Sequence, residues 1–493
     1  MRLPLAHALL ILTLAAPLAA QELRLAPTTF SQISHEIATP LTPGLQARAL
    51  WAQDTILPWH PQPKRFGIAM VDIGLSWLIP WAFNYYVRDA EFAHVGFDSW
   101  WENLTNPWQW DDNQFKTNMF GHPYQGHMYF TSGRANGYNF WASSGFAAFG
   151  AWGWEIFGET HPPAINDLYS TTLGGIAMGE ATYRLATLLT DNTATGAGRT
   201  WREIGSFVIN PVYEFNRLMR GETGIRWENP PDRVPDRFAV VLTGGAQSVV
   251  TELPPEDLDE TAQATATLDI LYGDPLNDKF AKPFSVFTAK VDLATRNDNL
   301  FQQLSYEGTL TGRHLGPTAE EGGDGNKGFL ILSDRFQYLT NVAFEYGGMT
   351  LVGQVGKEWQ LGGPWSLLAH GGPGFVMFGA TPSSMLIGEG RDYDFVSGAM
   401  VTGVANVMRQ GRRIVQLGFD SQWLLTVNGV AESHELNAAL AEIQLPITSK
   451  LAAGLRWLGY WGNSYYDTDP DEHTHSHMAR LFASWTFGTE PTR

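Results

Sequence analysis

The chain of 493 residues contains no cysteine. That absence excludes disulfides, thiolate metal sites, thiol catalysis and a lipidated N-terminal cysteine. Charge is scarce as well. Asp, Glu, Lys and Arg make up 17% of residues, and 50 acidic against 32 basic side chains leave a formal charge of -18. Without a basic stripe the electrostatic footprint of a nucleic-acid binder is missing. No P-loop, dinucleotide fingerprint, zincin or EF-hand pattern occurs, and no nucleophile elbow surrounds Ser132 or Ser170. What is present is 44% apolar residues, with 19 Trp and 51 Gly. Dense aromatics with sparse charge exclude bulk disorder, and the length allows two or more domains.

Met1 and Arg2 precede the apolar run Leu9–Ala16, and small residues end at Ala19-Ala20. Residues 1–20 read as a secretory signal peptide, too short an apolar run to span a bilayer. Residues 21–65, with Pro40, Pro43, Pro58, Pro61 and Pro63, read as an extended lead-in. Residues 66–225 read as a helical domain, with helices expected near 67–87, 135–158, 166–190 and 200–219. The first is long enough to span a bilayer, but Asp72, Pro80 and Asn84 interrupt it, so it is read as a core helix. The third follows Pro162-Pro163, with Asn166 as N-cap and Asp167 in the first turn. Its stripe of Thr171, Gly175 and Gly179 allows close helix approach. Gly145, Ala148, Gly150 and Gly153 of the second helix are the expected match.

Residues 230–488 change to a period of two. In 413–427 the odd positions carry Val415, Leu417, Phe419, Trp423 and Leu425, and the even positions Gln416, Asp420 and Gln422. About twelve such segments follow one another, with the longest loops expected at 251–261, 315–327 and 463–474. Strands of 10–14 residues exceed the usual soluble length of about 5–6. An antiparallel outer-membrane barrel fits these features better than a soluble sandwich. The register places Leu481, Ala483, Trp485 and Phe487 toward lipid, and Arg480, Ser484 and Thr486 inside, with Asp420 as a partner for Arg480. Lys290, Asp292, Asp420, Arg456 and Arg480, or part of the N-terminal half, are expected to fill the lumen. The fold class is therefore α+β: a Gly/Trp-rich helical domain, then a roughly 12-stranded barrel and a tail at 489–493.

The run Phe120-Gly121-His122-Pro123-Tyr124-Gln125-Gly126 is followed by Ser132–Tyr138, Trp154–Glu159, Pro162–Asp167 and Gly174–Glu180. Across roughly 106–220 these motifs resemble an uncharacterised bacterial family of exported or outer-membrane proteins, known only as a domain of unknown function. The resemblance implies a helical block paired with a β-rich half. It implies no activity.

His122, Arg134, Glu155, Asp167 and Glu180 are polar residues in an apolar, Gly-rich setting, where burial is costly unless they are paired. If they converge, His122 can act as a base oriented by a carboxylate, and Arg134 can bind an anionic headgroup. The competing arrangement is structural: Asp167 at a helix N-terminus, Glu180 with Arg184, and Glu155 and Glu159 facing solvent. His473, His475 and His477 share one side of a strand and offer a weaker metal alternative. No cofactor is expected. The leading reading is a non-enzymatic Gram-negative outer-membrane barrel with an envelope structural or small-solute role. Its expected partners are outer-membrane lipid and the barrel-assembly machinery. The alternative is a membrane-surface hydrolase or binding protein for lipid or lipopolysaccharide headgroups, and the alternative location is the periplasm.

Overall fold

A computed structural model describes residues 56–253, 257–295, 300–316, 328–341, 345–383 and 391–488. The signal peptide, most of the lead-in, the 489–493 tail and nearly all of the expected 315–327 loop lie outside the described residues. The helices are α1 (Phe66–Tyr86), α2 (Phe97–Thr105), α3 (His122–Ala135), α4 (Phe140–Phe157), α5 (Ile165–Tyr169), α6 (Gly175–Leu189), α7 (Gly196–Ile209) and α8 (Pro211–Met219). A π-helical turn at Thr117–Gly121 leads into α3, and a second at Ser170–Gly174 joins α5 to α6.

The chain divides into two compact units. One joins the residues up to Gln62 to Arg184–Arg233. Its expected single helix at 200–219 is broken at Asn210-Pro211, because proline cannot continue the backbone ladder. The Asn210 side chain instead caps α8, accepting from the Tyr213 amide at 3.1 Å. Arg199 ties the end of this unit together, donating to Glu203 and to the carbonyls of Glu222 and Ile225.

The other unit joins Pro63–Tyr183 to Val234–Arg493. Its strands are β1 (Phe238–Leu253), β2 (Asp257–Tyr272), β3 (Phe287–Ala294), β4 (Phe301–Leu315), β5 (Gly328–Thr340), β6 (Glu345–Gly362), β7 (Trp365–Pro382), β8 (Tyr393–Arg409), β9 (Arg412–Asn428), β10 (Ser433–Pro446), β11 (Leu451–Tyr465) and β12 (Glu472–Gly488). Each pairs antiparallel with its sequence neighbour, and β1 closes on β12, giving a twelve-stranded barrel. Closure leaves no unpaired edge. The β8–β9 turn is Gln410-Gly411, both with positive φ, the hairpin geometry that matches strand twist. Two expected loops shrink: β1 and β2 run through most of 251–261, and only 466–471 separates β11 from β12. A 273–286 connection between β2 and β3 was not anticipated.

The register follows the alternation. Leu481 is 68% exposed on the outside, while Arg480 is 1% exposed inside. Its partner is Asp292 at 2.8 Å, with Gln247 also accepting from it. Asp420, the expected partner, instead pairs with Arg335 at 2.8 Å. These contacts span the lumen between non-adjacent strands, β12 to β3 and β5 to β9. Glu442 adds a third group with Arg413 and Arg456. Nearer the rim where β5 ends, Leu339, Tyr346, Val376, Val396, Leu424 and Leu436 form a buried apolar layer. Tyr460 reaches Asn341 by a side-chain hydrogen bond. A cavity of about 290 Å³ remains, lined by Gln303, Glu307, Arg335 and Asp420 among others. Side chains of the strands thus occupy the lumen around this cavity, and the helices of this unit lie elsewhere.

They lie against the outside of the wall. Phe336, Tyr338, Met349, Phe378, Tyr393 and Phe395 have outward parity yet are buried. Trp110 packs on Phe395 with ring centroids 5.1 Å apart, Phe115 and Phe120 on Tyr338, and Tyr169 on Phe378. Elsewhere the outer face exposes Leu417, Phe419, Leu425, Leu455 and Leu481. Helices therefore cover one part of the wall, and the bare part carries the apolar surface that lipid requires.

Within the block, the small-residue stripe meets α3, not α4. A Cβ built on Gly126 would lie 1.8 Å from the Thr171 carbonyl oxygen, and one on Gly175 would lie 2.5 Å from the Gly126 backbone. The glycines of α4 serve other neighbours: Gly150 receives the Tyr129 ring and Gly153 the Trp77 ring, while Gly145 faces open space. Helix α1 is not the core helix expected. It buries only Ala69, Asp72, Ile73 and Ser76, with Asp72 accepting from Asn136 at 2.7 Å. Phe66, Val71, Leu78 and Ile79 are exposed, and length and composition suffice for a membrane crossing.

Gly126→Val should destabilise the block by about 3 kcal/mol or more, because the carbonyl it meets is backbone and cannot turn aside. A helical block that resists protease and melts as in the parent would contradict this packing. Nitroxides placed by Leu481→Cys and Ser484→Cys should differ in collision with a lipid-soluble quencher, with position 481 the more accessible. The reverse order would mean a one-residue slip.

A buried acidic cluster in the helical block

The site forms where chain breaks bring short polar segments together. Asp167 sits in the first turn of α5, and His122 starts α3 directly after its π-helical turn. Such turns widen a helix locally and recur at functional sites. His122 Nε2 lies 3.3 Å from Asp167 Oδ2 but is not aligned for a hydrogen bond. Glu155 ends α4 and Glu159 follows it, and both carboxylates turn inward. One oxygen from each of Glu155, Glu159 and Asp167 lies within 4.8 Å of the others. Glu155 is 2% exposed, which overturns the solvent-facing reading of that residue.

Neutral donors hold the acids in place. The Ala164 amide donates to Glu155 Oε2 at 2.8 Å. Asn166 Nδ2 donates to Asp167 at 2.7 Å and to Asp111 at 2.6 Å. Asn118 Nδ2 donates to Asp111 Oδ1 at 2.9 Å and to the Tyr393 hydroxyl at 2.6 Å. Tyr393 belongs to β8, so this hydrogen-bonded chain runs from the barrel wall to the cluster. Asn103 holds the end of α4 by donating to the Glu159 carbonyl at 2.8 Å. Asp111, Asn118 and Asn166 were not foreseen as site residues. The adjacent Asn166-Asp167 and the Asp111-Asp112-Asn113 run, polar segments beside recognisable motifs, were the available signal.

Among the described residues no Lys or Arg side chain pairs with these four carboxylates. Arg391 meets Asp111 at its backbone carbonyl, at 3.4 Å, and not at its carboxylate. Burial pushes the Glu155 and Asp167 carboxyls well above their usual range, reinforced by the neighbouring acids. Burial, with Asp111 beside it, raises Glu159 to about 7. Burial lowers His122 to about 4, against the pull of Asp111. The cluster can therefore hold protons, or a cation, but is costly when empty and ionised.

The other expected residues fall outside it. Arg134 forks onto Glu180 at 2.7 and 3.1 Å and lies over the Tyr183 ring, so its guanidinium is not free for a headgroup. Along α3 it is about 18 Å from His122. Ser132 donates to the Met128 carbonyl. His473 bonds Asn463, and His477 stacks on Trp457. Among the described residues, the three histidines form no group with metal-ligand spacing.

Residues 107–212 match the family described as a domain of unknown function, DUF3943. No curated protein matches the chain. Among solved structures, the chain is similar to an outer membrane channel from Pseudomonas putida F1, with TM-score 0.27, 9% identity, and 52% of this chain and 96% of that one covered. The NanC porin gives 0.26 and 10%, covering 50% and 98%. The channel DcaP of Acinetobacter baumannii gives 0.22 and 8%, covering 51% and 96%. Likeness at these scores says nothing of what this chain does.

The ionisation shifts set a direction for stability. Unfolded carboxyls release their protons near 4.5, whereas Glu159 does so near 7 and Glu155 and Asp167 well above their usual range. Over that window the folded block binds more protons than the unfolded chain, even after His122 and His127, both lowered to about 4 by burial, are counted as two protons in the other direction. Chelator-treated protein should therefore lose helical-block stability as pH rises from about 4.5 through about 7. Melting followed by Trp fluorescence that rises or stays flat across this window would contradict the cluster's electrostatics.

Proposed function

We propose that this chain is an outer-membrane protein whose barrel acts as a scaffold, anchoring the helical block and completing its polar site, and is not a solute channel. One observation carries the reading: the lumen is bridged by Arg480–Asp292 and Arg335–Asp420 and backed by the apolar layer from Leu339 to Leu436. A buried ion pair between non-adjacent strands is strongly destabilising to break singly, by about 3–5 kcal/mol, so it does not open readily. The exposed apolar wall supports membrane insertion, and the secretory start of the sequence supports export. The seam between barrel and helices supports the scaffold role, since Tyr393 of the wall takes part in the site's hydrogen bonds.

A second reading has its own support. The His122–Asp167 pair, buried beside three further carboxylates, is the kind of site that acts on or binds a lipid or lipopolysaccharide headgroup. The two readings differ in whether the scaffolded site turns over a substrate. His122→Ala abolishing lipid turnover in an otherwise folded protein would establish the second.

For the scaffold reading, the protein should fractionate with the outer membrane, migrate on gels in a heat-modifiable way, and give no stepwise conductance in planar bilayers. Stable channel steps from the purified protein, or recovery as a soluble periplasmic monomer, would overturn it.

A further inference from the structure

We propose that the acidic cluster is a divalent-metal site, taking a borderline cation such as Mn²⁺, Fe²⁺ or Zn²⁺ on Glu155, Glu159, Asp167 and His122. The three carboxylate oxygens lie within 4.8 Å of one another. That spacing suits donors around one ion bound at about 2.0–2.2 Å. Acids alone would not make a site, since they can share protons. The independent observation is His122. It is 8% exposed, its Nε2 lies 3.3 Å from an Asp167 oxygen, and that nitrogen has no hydrogen-bond partner. A buried imidazole nitrogen left bare against a carboxylate is arranged as a second ligand to whatever the carboxylate binds. The supporting shell is also in place. Asn166 bridges Asp167 to Asp111, and the Ala164 amide fixes Glu155, the kind of outer contacts that orient metal ligands.

The donor set selects the class of ion. Carboxylates with one imidazole suit Mn²⁺, Fe²⁺ and Zn²⁺, and the absence of thiolate disfavours softer ions. Ca²⁺ takes six to eight oxygen ligands and gains nothing from the imidazole. The inference concerns the helical block alone, so conductance through the barrel would refute the scaffold reading and leave this one standing.

The test uses the full chain in detergent, stripped with chelator and titrated with Mn²⁺ alone. Free Mn²⁺ measured by electron paramagnetic resonance should report one tight site per chain, and pulsed spectra should contain a ¹⁴N coupling from an imidazole. Glu155→Gln and Asp167→Asn should weaken binding about tenfold or more, while Arg134→Lys, outside the cluster, should not. His122→Ala should remove the nitrogen coupling. If the carboxamide variants fail to fold, the wild-type coupling and its loss in His122→Ala decide the matter. Absence of stoichiometric Mn²⁺, Fe²⁺ or Zn²⁺ uptake would overturn the proposal. So would uptake indifferent to Glu155→Gln and Asp167→Asn, or Ca²⁺ binding with no nitrogen coupling to Mn²⁺.

Discussion

The aromatic seam between the helical block and strands β4–β8 is the contact on which the other features depend. Trp110, Phe115, Phe120 and Tyr169 cover side chains that their strand parity would otherwise aim at lipid. This has two consequences. The wall there can carry polar groups outward, as Asp334 and Tyr393 do, without the cost of facing hydrocarbon. The block, in turn, gains a rigid back. Its glycine contacts at Gly126 and Gly175 bring α3 and α6 to backbone distance, and a sheet closed on itself supports them from behind.

The acidic cluster follows from that packing. Both π-helical turns lie beside it, one leading to His122 and one following Asp167. The chain Tyr393–Asn118–Asp111–Asn166–Asp167 ties the cluster to β8. The two halves also differ electrostatically. In the lumen Arg480 pairs with Asp292, Arg335 with Asp420, and Glu442 with Arg413 and Arg456, whereas among the described residues the cluster's four carboxylates meet only neutral donors and one bare imidazole.

The barrel was legible in the sequence because its strands are long and their alternation strict. The span 413–427 became β9 at Arg412–Asn428, and the opposite fates of Arg480 and Leu481 follow from parity alone. The partner of Arg480 was not legible, since chords across a lumen leave no trace in spacing. Helix α3 was missed because it starts His-Pro and contains Gly126, Ser132 and Gly133, poor helix formers that the contact with α6 nonetheless requires. Two helices were therefore matched wrongly: the stripe of α6 was assigned to α4. His122, Glu155 and Asp167 were picked out as polar residues in an apolar setting, and they do meet. Arg134 and Glu180 were picked by the same rule and pair with each other away from the cluster, because composition cannot tell a satisfied pair from an open cluster. Asp334, an acid with outward parity on β5 that is nonetheless buried, is a sequence sign that something other than lipid covers it.

The placement of the helical block on the outer face is the central claim, and the absence of native cysteine makes it directly measurable. A Cβ on Gly347 would lie 2.7 Å from the Met119 Cβ, on the outward side of β6. Met119→Cys combined with Gly347→Cys should therefore form a disulfide on mild oxidation in native membranes, visible as a mobility shift reversed by reductant. Met119→Cys with Gly348→Cys, whose residue 348 faces the lumen, should not. Cross-linking to position 348 in preference to 347, or to neither, would contradict the account.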